Sequence, residues 1–175
     1  RLVMLHIRAL IVAERWEAAI EACRREVALS PPVVSPTAMR IQIARLLLRK
    51  GDFRDALTTY QDLLKQYPES TAILMEIVEM HRRLSQPAEA AKVLERVLTI
   101  QPEHGRARVL LAAMWLRGGR EDDARALVGA MSRDPKAGPE FRKHLVHLYE
   151  SERDYASAAA VADLFVKEQP KDPVL

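Results

Sequence analysis

Asparagine is absent from this 175-residue chain, cysteine occurs once, and aromatic residues make up only 5%. The single Cys23 excludes an intramolecular disulfide framework and any zinc knuckle built from several thiolates of this chain alone. The scarcity of aromatics weighs against a β-sandwich, whose strands lean on aromatic and β-branched side chains. No stretch reaches the roughly 18 uninterrupted apolar residues that span a bilayer. The apolar segment 2–13 is broken by His6 and Arg8, no initiator methionine precedes it, and it fits the helical register below, so it reads as a helix of the repeat rather than a signal core. With six glycines, the chain holds no glycine-rich phosphate loop, no nucleophile elbow and no paired acids in a catalytic setting. A net charge of +3 is too small to point to nucleic acid without clustering.

What is present is a 49% hydrophobic fraction beside 29% charged residues, enough apolar surface to offset chain entropy in an ordered domain. The dominant signal is a period. Ala56, Ala90, Ala124 and Ala158 recur every 34 residues, and Pro68, Pro102 and Pro170 are separated by 34 and 68. The segment Gly51-Asp52-Phe53-Arg54-Asp55-Ala56 has partners at Gly119-Arg120-Glu121-Asp122-Asp123-Ala124 and Arg153-Asp154-Tyr155-Ala156-Ser157-Ala158. Units therefore fall at 37–70, 71–104, 105–138 and 139–172, with a fifth at about 1–33, where Trp16-Glu17-Ala18-Ala19-Ile20 matches. Three extra residues around Val34-Ser35-Pro36 join the upstream unit to the next.

Each unit reads as two helices. Leu74, Ile77, Val78, His81 and Leu84 form one helical stripe, and Ala90, Ala91, Leu94, Val97 and Leu98 form another. Gly51 and Gly119 suit left-handed helix ends, Asp52 and Asp154 suit N-caps, and Pro36, Pro87 and Pro139 suit first turns. Alanine between paired helices permits close approach, and stacking of neighbouring pairs completes a core that one pair cannot.

On these anchors the chain resembles the tetratricopeptide repeat family. Position 8 of its 34-residue unit holds Ala44, Val78, Ala112 and Val146; position 11 holds Leu47, His81, Trp115 and Tyr149; position 24 holds Tyr60, Leu94, Val128 and Ala162. The resemblance implies an all-α fold, a right-handed α-solenoid of about five helix-turn-helix repeats over residues 1–175. It also implies a protein–protein interaction scaffold rather than an enzyme. The short tail after Pro170 and the abrupt start imply a segment of a longer protein, or ends that self-associate.

The first helices of such an array line a concave face. Position 5 there reads Leu5, Ile41, Met75, Val109 and Lys143; position 13 reads Ala13, Arg49, Arg83, Arg117 and Ser151. Ile41, Met75 and Val109 are the expected anchors, and Arg49, Arg83 and Arg117 the expected cations, for a partner segment with apolar and acidic residues. Arginine in a last helical turn also complements the dipole without any partner. Arg45 and Glu79 are expected to neutralise one another in a network with Arg82 and Arg83. His144, His147 and Glu140 share helical spacing but lack a four-ligand set, so no metal is expected; no cofactor is expected either. His81 is expected to pack in place of an aromatic, and Cys23 to be a buried, inert thiol. Aliphatic groove positions argue against RNA reading, and the missing asparagines against a clamp for heat-shock carboxylates. The arginine-rich, asparagine-free composition points to a G+C-rich bacterium. Arrays of this kind there serve envelope assembly such as exopolysaccharide export, in the periplasm or the cytoplasm. The contrasting expectation is a recruiting arm of an enzyme whose catalytic domain lies elsewhere.

Overall fold

The computed structural model describes residues 2–29, 35–132, 144 and 155–168. Among them are nine helices and no strand: α1 (Leu2–Val12), α2 (Trp16–Ala28), α3 (Pro36–Lys50), α4 (Phe53–Gln66), α5 (Thr71–Arg83), α6 (Pro87–Ile100), α7 (Gly105–Arg117), α8 (Glu121–Ser132) and α9 (Tyr155–Glu168). They fall into two compact units, Arg1–Gln86 and Pro87–Leu175. In the first, each helix packs on the next, from α1 through α5. In the second, α6 packs on α7, α7 on α8, and α9 on both α7 and α8. The sequence positions Pro139, Glu140, Lys143, Val146, His147, Tyr149, Ser151 and Asp154 lie outside the described residues.

Small residues sit where paired helices cross. Ala19, Ala56, Ala90 and Ala124 are all fully buried at the same register. One turn on, Cys23, Tyr60, Leu94 and Val128 are buried as well. The first helices answer with Ile7, Ala44, Val78 and Ala112, each 1% exposed or less. Among the described residues one polar side chain breaks the apolar pattern: Glu26 is buried on α2, where α4 and α6 carry Leu63 and Val97.

The turn between the two helices of a pair is built the same way four times. The amide of residues 15, 52, 86 and 120 donates to the carbonyl five residues back, on Leu10, Leu47, His81 and Trp115. The preceding amides, of Glu14, Gly51, Ser85 and Gly119, donate to Ile11, Leu48, Arg82 and Leu116. This double closure consumes carbonyls that a helix end leaves bare, and it requires a left-handed residue. All four residues have positive φ: 54°, 95°, 56° and 75°. Glycine was legible at two of them; Glu14 and Ser85 occupy the other two.

L-residues in this conformation are strained by about 1–2 kcal/mol. We therefore expect Ser85→Gly to stabilise the protein by roughly 0.5–1 kcal/mol, the net after the greater freedom of unfolded glycine. Gly51→Ala should destabilise by about 1 kcal/mol although no atom lies within 4 Å of the added Cβ. Urea midpoints of the two variants check both. Shifts of the same sign would show that φ is not what selects these residues.

The same closure corrects the upstream register. Leu10, not Ile11, is equivalent to Leu47, so α1 is offset from α3 by 37 residues. Met4 and Val12, rather than Leu5 and Ala13, thus correspond to Ile41 and Arg49. The caps differ in part too. Pro36 and Pro87 open α3 and α6 as expected, but the Asp52 side chain makes no cap. Its Oδ2 lies 2.7 Å from Lys50 Nζ, which also lies 2.7 Å from Glu17 Oε1 on α2. Lys50 holds Glu17 below the usual carboxylate range, and Asp52 with Glu17 holds Lys50 above the usual ammonium range. Side-chain caps occur instead at Ser70, whose Oγ accepts from the Ile73 amide, and at His104, whose Nδ1 accepts from the Ala107 amide at 3.2 Å. Burial, with Arg106 nearby, keeps His104 below the ordinary imidazole range and so in the neutral form able to accept.

Candidate functional site

The first-helix face of the first unit is built by α3 and α5. On α3, Ile41 is half-buried while Arg45 and Arg49 are exposed. On α5, Met75 and Glu76 are half-buried one helical turn before Glu79. Tyr60 of α4 ties the two helices together. Its side chain is 1% exposed, and its hydroxyl has no partner of hydrogen-bond geometry. Burial and the neighbouring Glu76 carboxylate push the phenol up to about 12, opposed by the charge of Arg45 and by its guanidinium approaching the hydroxyl. A buried hydroxyl thus lies under this face, with a cation from α3 and an anion from α5 beside it.

The expected cations are not equivalent. Arg83 Nε donates to Glu79 Oε1 at 2.7 Å, and Arg82 Nη1 donates to Glu79 Oε2 at 3.1 Å. Glu79 therefore neutralises its own helix end, as its spacing predicts, and does not reach Arg45. Arg49 makes no ion pair among the described residues and stands exposed in the last turn of α3. Arg117 is exposed at the corresponding turn of α7, in the second unit.

The apolar column is interrupted. Val109 was expected to be an exposed anchor, but it is only 1% exposed. The cause is that α6, α8 and α9 all pack on α7, leaving it little free face. Val109, Leu110, Leu111, Ala112 and Ala113 are accordingly all buried. His144 lies against the start of this helix, where a Cβ on Gly105 would come within 2.6 Å of its imidazole Cδ2. It is a packed, half-buried side chain rather than a solvated groove residue. His81 is half-buried rather than core, with Nδ1 2.8 Å from Gln86 Oε1 across the turn. Cys23 is fully buried, and desolvation raises its thiol to about 11, which keeps it protonated and unreactive at neutral pH. Among the described residues no three His, Cys, Asp or Glu side chains are grouped to hold a metal ion. No described helix is long and apolar enough to cross a membrane.

Sequence reasoning missed a second surface. A groove of about 660 Å³ runs between α2 and α4 over Ile43 and Leu47 of α3. Its rim carries Arg24, Arg40, Asp55 and Asp62. Much of its polar lining is already satisfied: Thr58 and Thr59 donate to carbonyls of their own helix, and Lys65 to Asp62. Threonines inside an amphipathic helix gave no signal distinguishing this groove from an ordinary solvated face.

Sequence profiles of the tetratricopeptide repeat match residues 41–102 and 82–137. The chain is 29% identical over 130 residues to cellulose synthase 2 operon protein C of Komagataeibacter xylinus. That stretch is 73% of this chain but only 10% of that protein. In fold, the chain is similar to a tetratricopeptide repeat protein from Parabacteroides merdae, with a TM-score of 0.65 at 16% identity over 94% of this chain and 71% of that one. It is also similar to YrrB, described as a repeat protein with an unusual peptide-binding site, with a TM-score of 0.57 at 17% identity over 97% and 86%. The 34-residue period, the buried alanines at the helix crossings and these matches agree: the chain belongs to the tetratricopeptide repeat family.

Proposed function

We propose that this chain is a non-enzymatic scaffold that holds a partner segment on the α3–α5 face of its first unit, within a bacterial assembly that makes or exports an exopolysaccharide. Tetratricopeptide repeats are protein-interaction scaffolds; the partner and pathway are the added reading. The observation that carries the site is the placing of half-buried Ile41 and Met75 beside Arg49, an exposed cation that makes no ion pair among the described residues. Apolar side chains on such a surface supply anchorage, and a cation without a carboxylate favours a segment that brings one. Arg83, already engaged by Glu79, supplies weaker attraction. Arg117 carries the same charge at the same register of the second unit, whereas Val109 is too buried to serve. The pathway rests on the similarity to cellulose synthase 2 operon protein C of Komagataeibacter xylinus.

The test is surface plasmon resonance against the protein captured from the source organism. Buried anchors govern dissociation, and exposed charges govern encounter. Met75→Asp should raise the dissociation rate roughly tenfold or more, about 1.4 kcal/mol. Arg49→Glu should slow association several-fold at low salt, and the deficit should shrink as the screening length falls toward about 8 Å at physiological ionic strength. Arg83→Glu should do less. Normal kinetics for a folded Met75→Asp would remove this face from contention and leave the α2–α4 groove to be tried.

A further inference from the structure

The groove between α2 and α4 lies on the far side of α3 from Ile41, Arg45 and Arg49. At about 100° per residue, its floor residues Ile43 and Leu47, with Arg40, fall opposite that stripe. Both flanking helices pack on α3 and run antiparallel to it. Lys50 at the end of α3 meets Glu17 at the start of α2, 2.7 Å apart. Thr37 at the start of α3 meets Tyr67 just past α4, with 3.2 Å between hydroxyls. This register sorts the charges of the lining. Arg24 on the second half of α2, Arg40 on the first half of α3 and Lys65 in the last turn of α4 gather at one end. Asp55, in the first turn of α4, stands at the other end with Leu47.

Not all of these charges are compensated. Lys65 Nζ lies 2.7 Å from Asp62 Oδ1, which settles that pair. Arg24 has Glu21 only at 4.0 Å, with both side chains more than half exposed. Arg40 is half-buried and, like the exposed Asp55, makes no ion pair among the described residues. A cation partly withdrawn from water without a counter-charge favours an incoming anion. Between the two ends the groove is apolar. Ile43 and Leu47 form the floor, and the hydroxyls of Thr58 and Thr59 are donated to the carbonyls of Arg54 and Asp55. The threonines therefore bring methyl groups, not free donors, to the wall.

We propose that this groove is a second docking surface, independent of the α3–α5 face, and that its occupant is an amphipathic helix of a partner protein. From Arg40 to Leu47 the floor spans about 10 Å of α3. Over that length a helix brings residues i, i+3, i+4 and i+7 to one face. An extended strand turns alternate side chains away. Charge complementarity fixes the two outer positions of the docking helix. One is acidic, to meet Arg40 and Arg24; the other is basic, to meet Asp55; the two between them are aliphatic. A helix with like charges at both ends would meet repulsion at one of them.

The probe is a capped synthetic peptide of about 18 residues, long enough to hold a helix. It carries Glu, Leu, Leu and Lys at i, i+3, i+4 and i+7 in an alanine–glutamine background. Titrated to about 1 mM into the isotope-labelled 175-residue chain, it should move the methyl resonances of Ile43, Leu47, Thr58 and Thr59 and leave those of Ile41 and Met75 in place. Serine for both leucines should abolish the shifts. Arg40→Glu should weaken the peptide about three- to fivefold, and a peptide with Lys in place of its Glu should recover that loss. Circular dichroism checks that the variant stays folded. Met75→Asp, which removes an anchor of the α3–α5 face, should leave this titration unchanged, so the two readings fail separately. Groove methyls that do not move, binding indifferent to the serine replacement, or affinity that Arg40→Glu leaves intact would each overturn the proposal. So would a loss in Arg40→Glu that the charge-swapped peptide does not restore.

Discussion

Ala56→Leu lowers the stability of the protein by about 1–3 kcal/mol, whereas Ala72→Leu on the exposed side of α5 changes it by no more than about 0.5 kcal/mol. Ala56 is fully buried on α4, which packs on both α3 and α5. Leucine there must displace side chains that already sit at interior density, or push two helices apart. The same side chain at residue 72 meets solvent, and leucine is nearly as good a helix former as alanine. Any loss at residue 56 is thus packing and not propensity. For a chain of this length each kcal/mol corresponds to roughly 2–4 °C in midpoint, so thermal or urea unfolding resolves the pair. Equal midpoints for the two variants would mean that Ala56 is not at a helix crossing, and the 34-residue register would fall with it.

That register was legible because alanine at a crossing is a local demand that every repeat must meet. What was not legible came from constraints that several side chains satisfy equally well. The left-handed turn residue announces itself as glycine at 51 and 119 but is hidden at Glu14 and Ser85, where the double carbonyl closure outweighs the strain. The one-residue error along α1 has the same origin. Its helix is apolar nearly all round, so no stripe fixes its phase, and only the turn after it does. Asp52 holds the right place for a cap, yet it is drawn away by Lys50, whose position depends on the helix before it. Val109 repeats the residue type of Ile41 and Met75, but burial depends on how many helices surround α7, a fact of tertiary packing. The candidate site was legible as a charge and size pattern. Which arginine is paired, and that a buried hydroxyl lies under it, required the fold.

Raising the pH from about 8 to about 11 should lower the stability of the wild-type protein relative to Tyr60→Phe by about 1.4 kcal/mol. The Tyr60 phenol titrates near 10.0 in an unfolded chain, and burial together with Glu76 moves it up to about 12 in the folded one. The unfolded state therefore releases this proton first. The stabilisation from keeping a neutral phenol is complete below pH 10 and is lost as the pH climbs toward and through 12. Phenylalanine keeps the ring that fills the space between α3 and α5 but has no proton to lose. Cys23, raised from 9.0 to about 11 by burial, adds a loss of the same sign, but it is common to both proteins and cancels. At pH 8 the variant should be as stable as the wild type or more so. The hydroxyl it removes makes no hydrogen bond of strict geometry and is approached only by Arg45, so little is lost with it. Urea midpoints of the two proteins at both pH values give the comparison. A difference that does not change with pH would mean that water reaches the Tyr60 hydroxyl, and the α3–α5 face would then be a wet cleft rather than the dry floor that the proposed anchoring by Ile41 and Met75 requires.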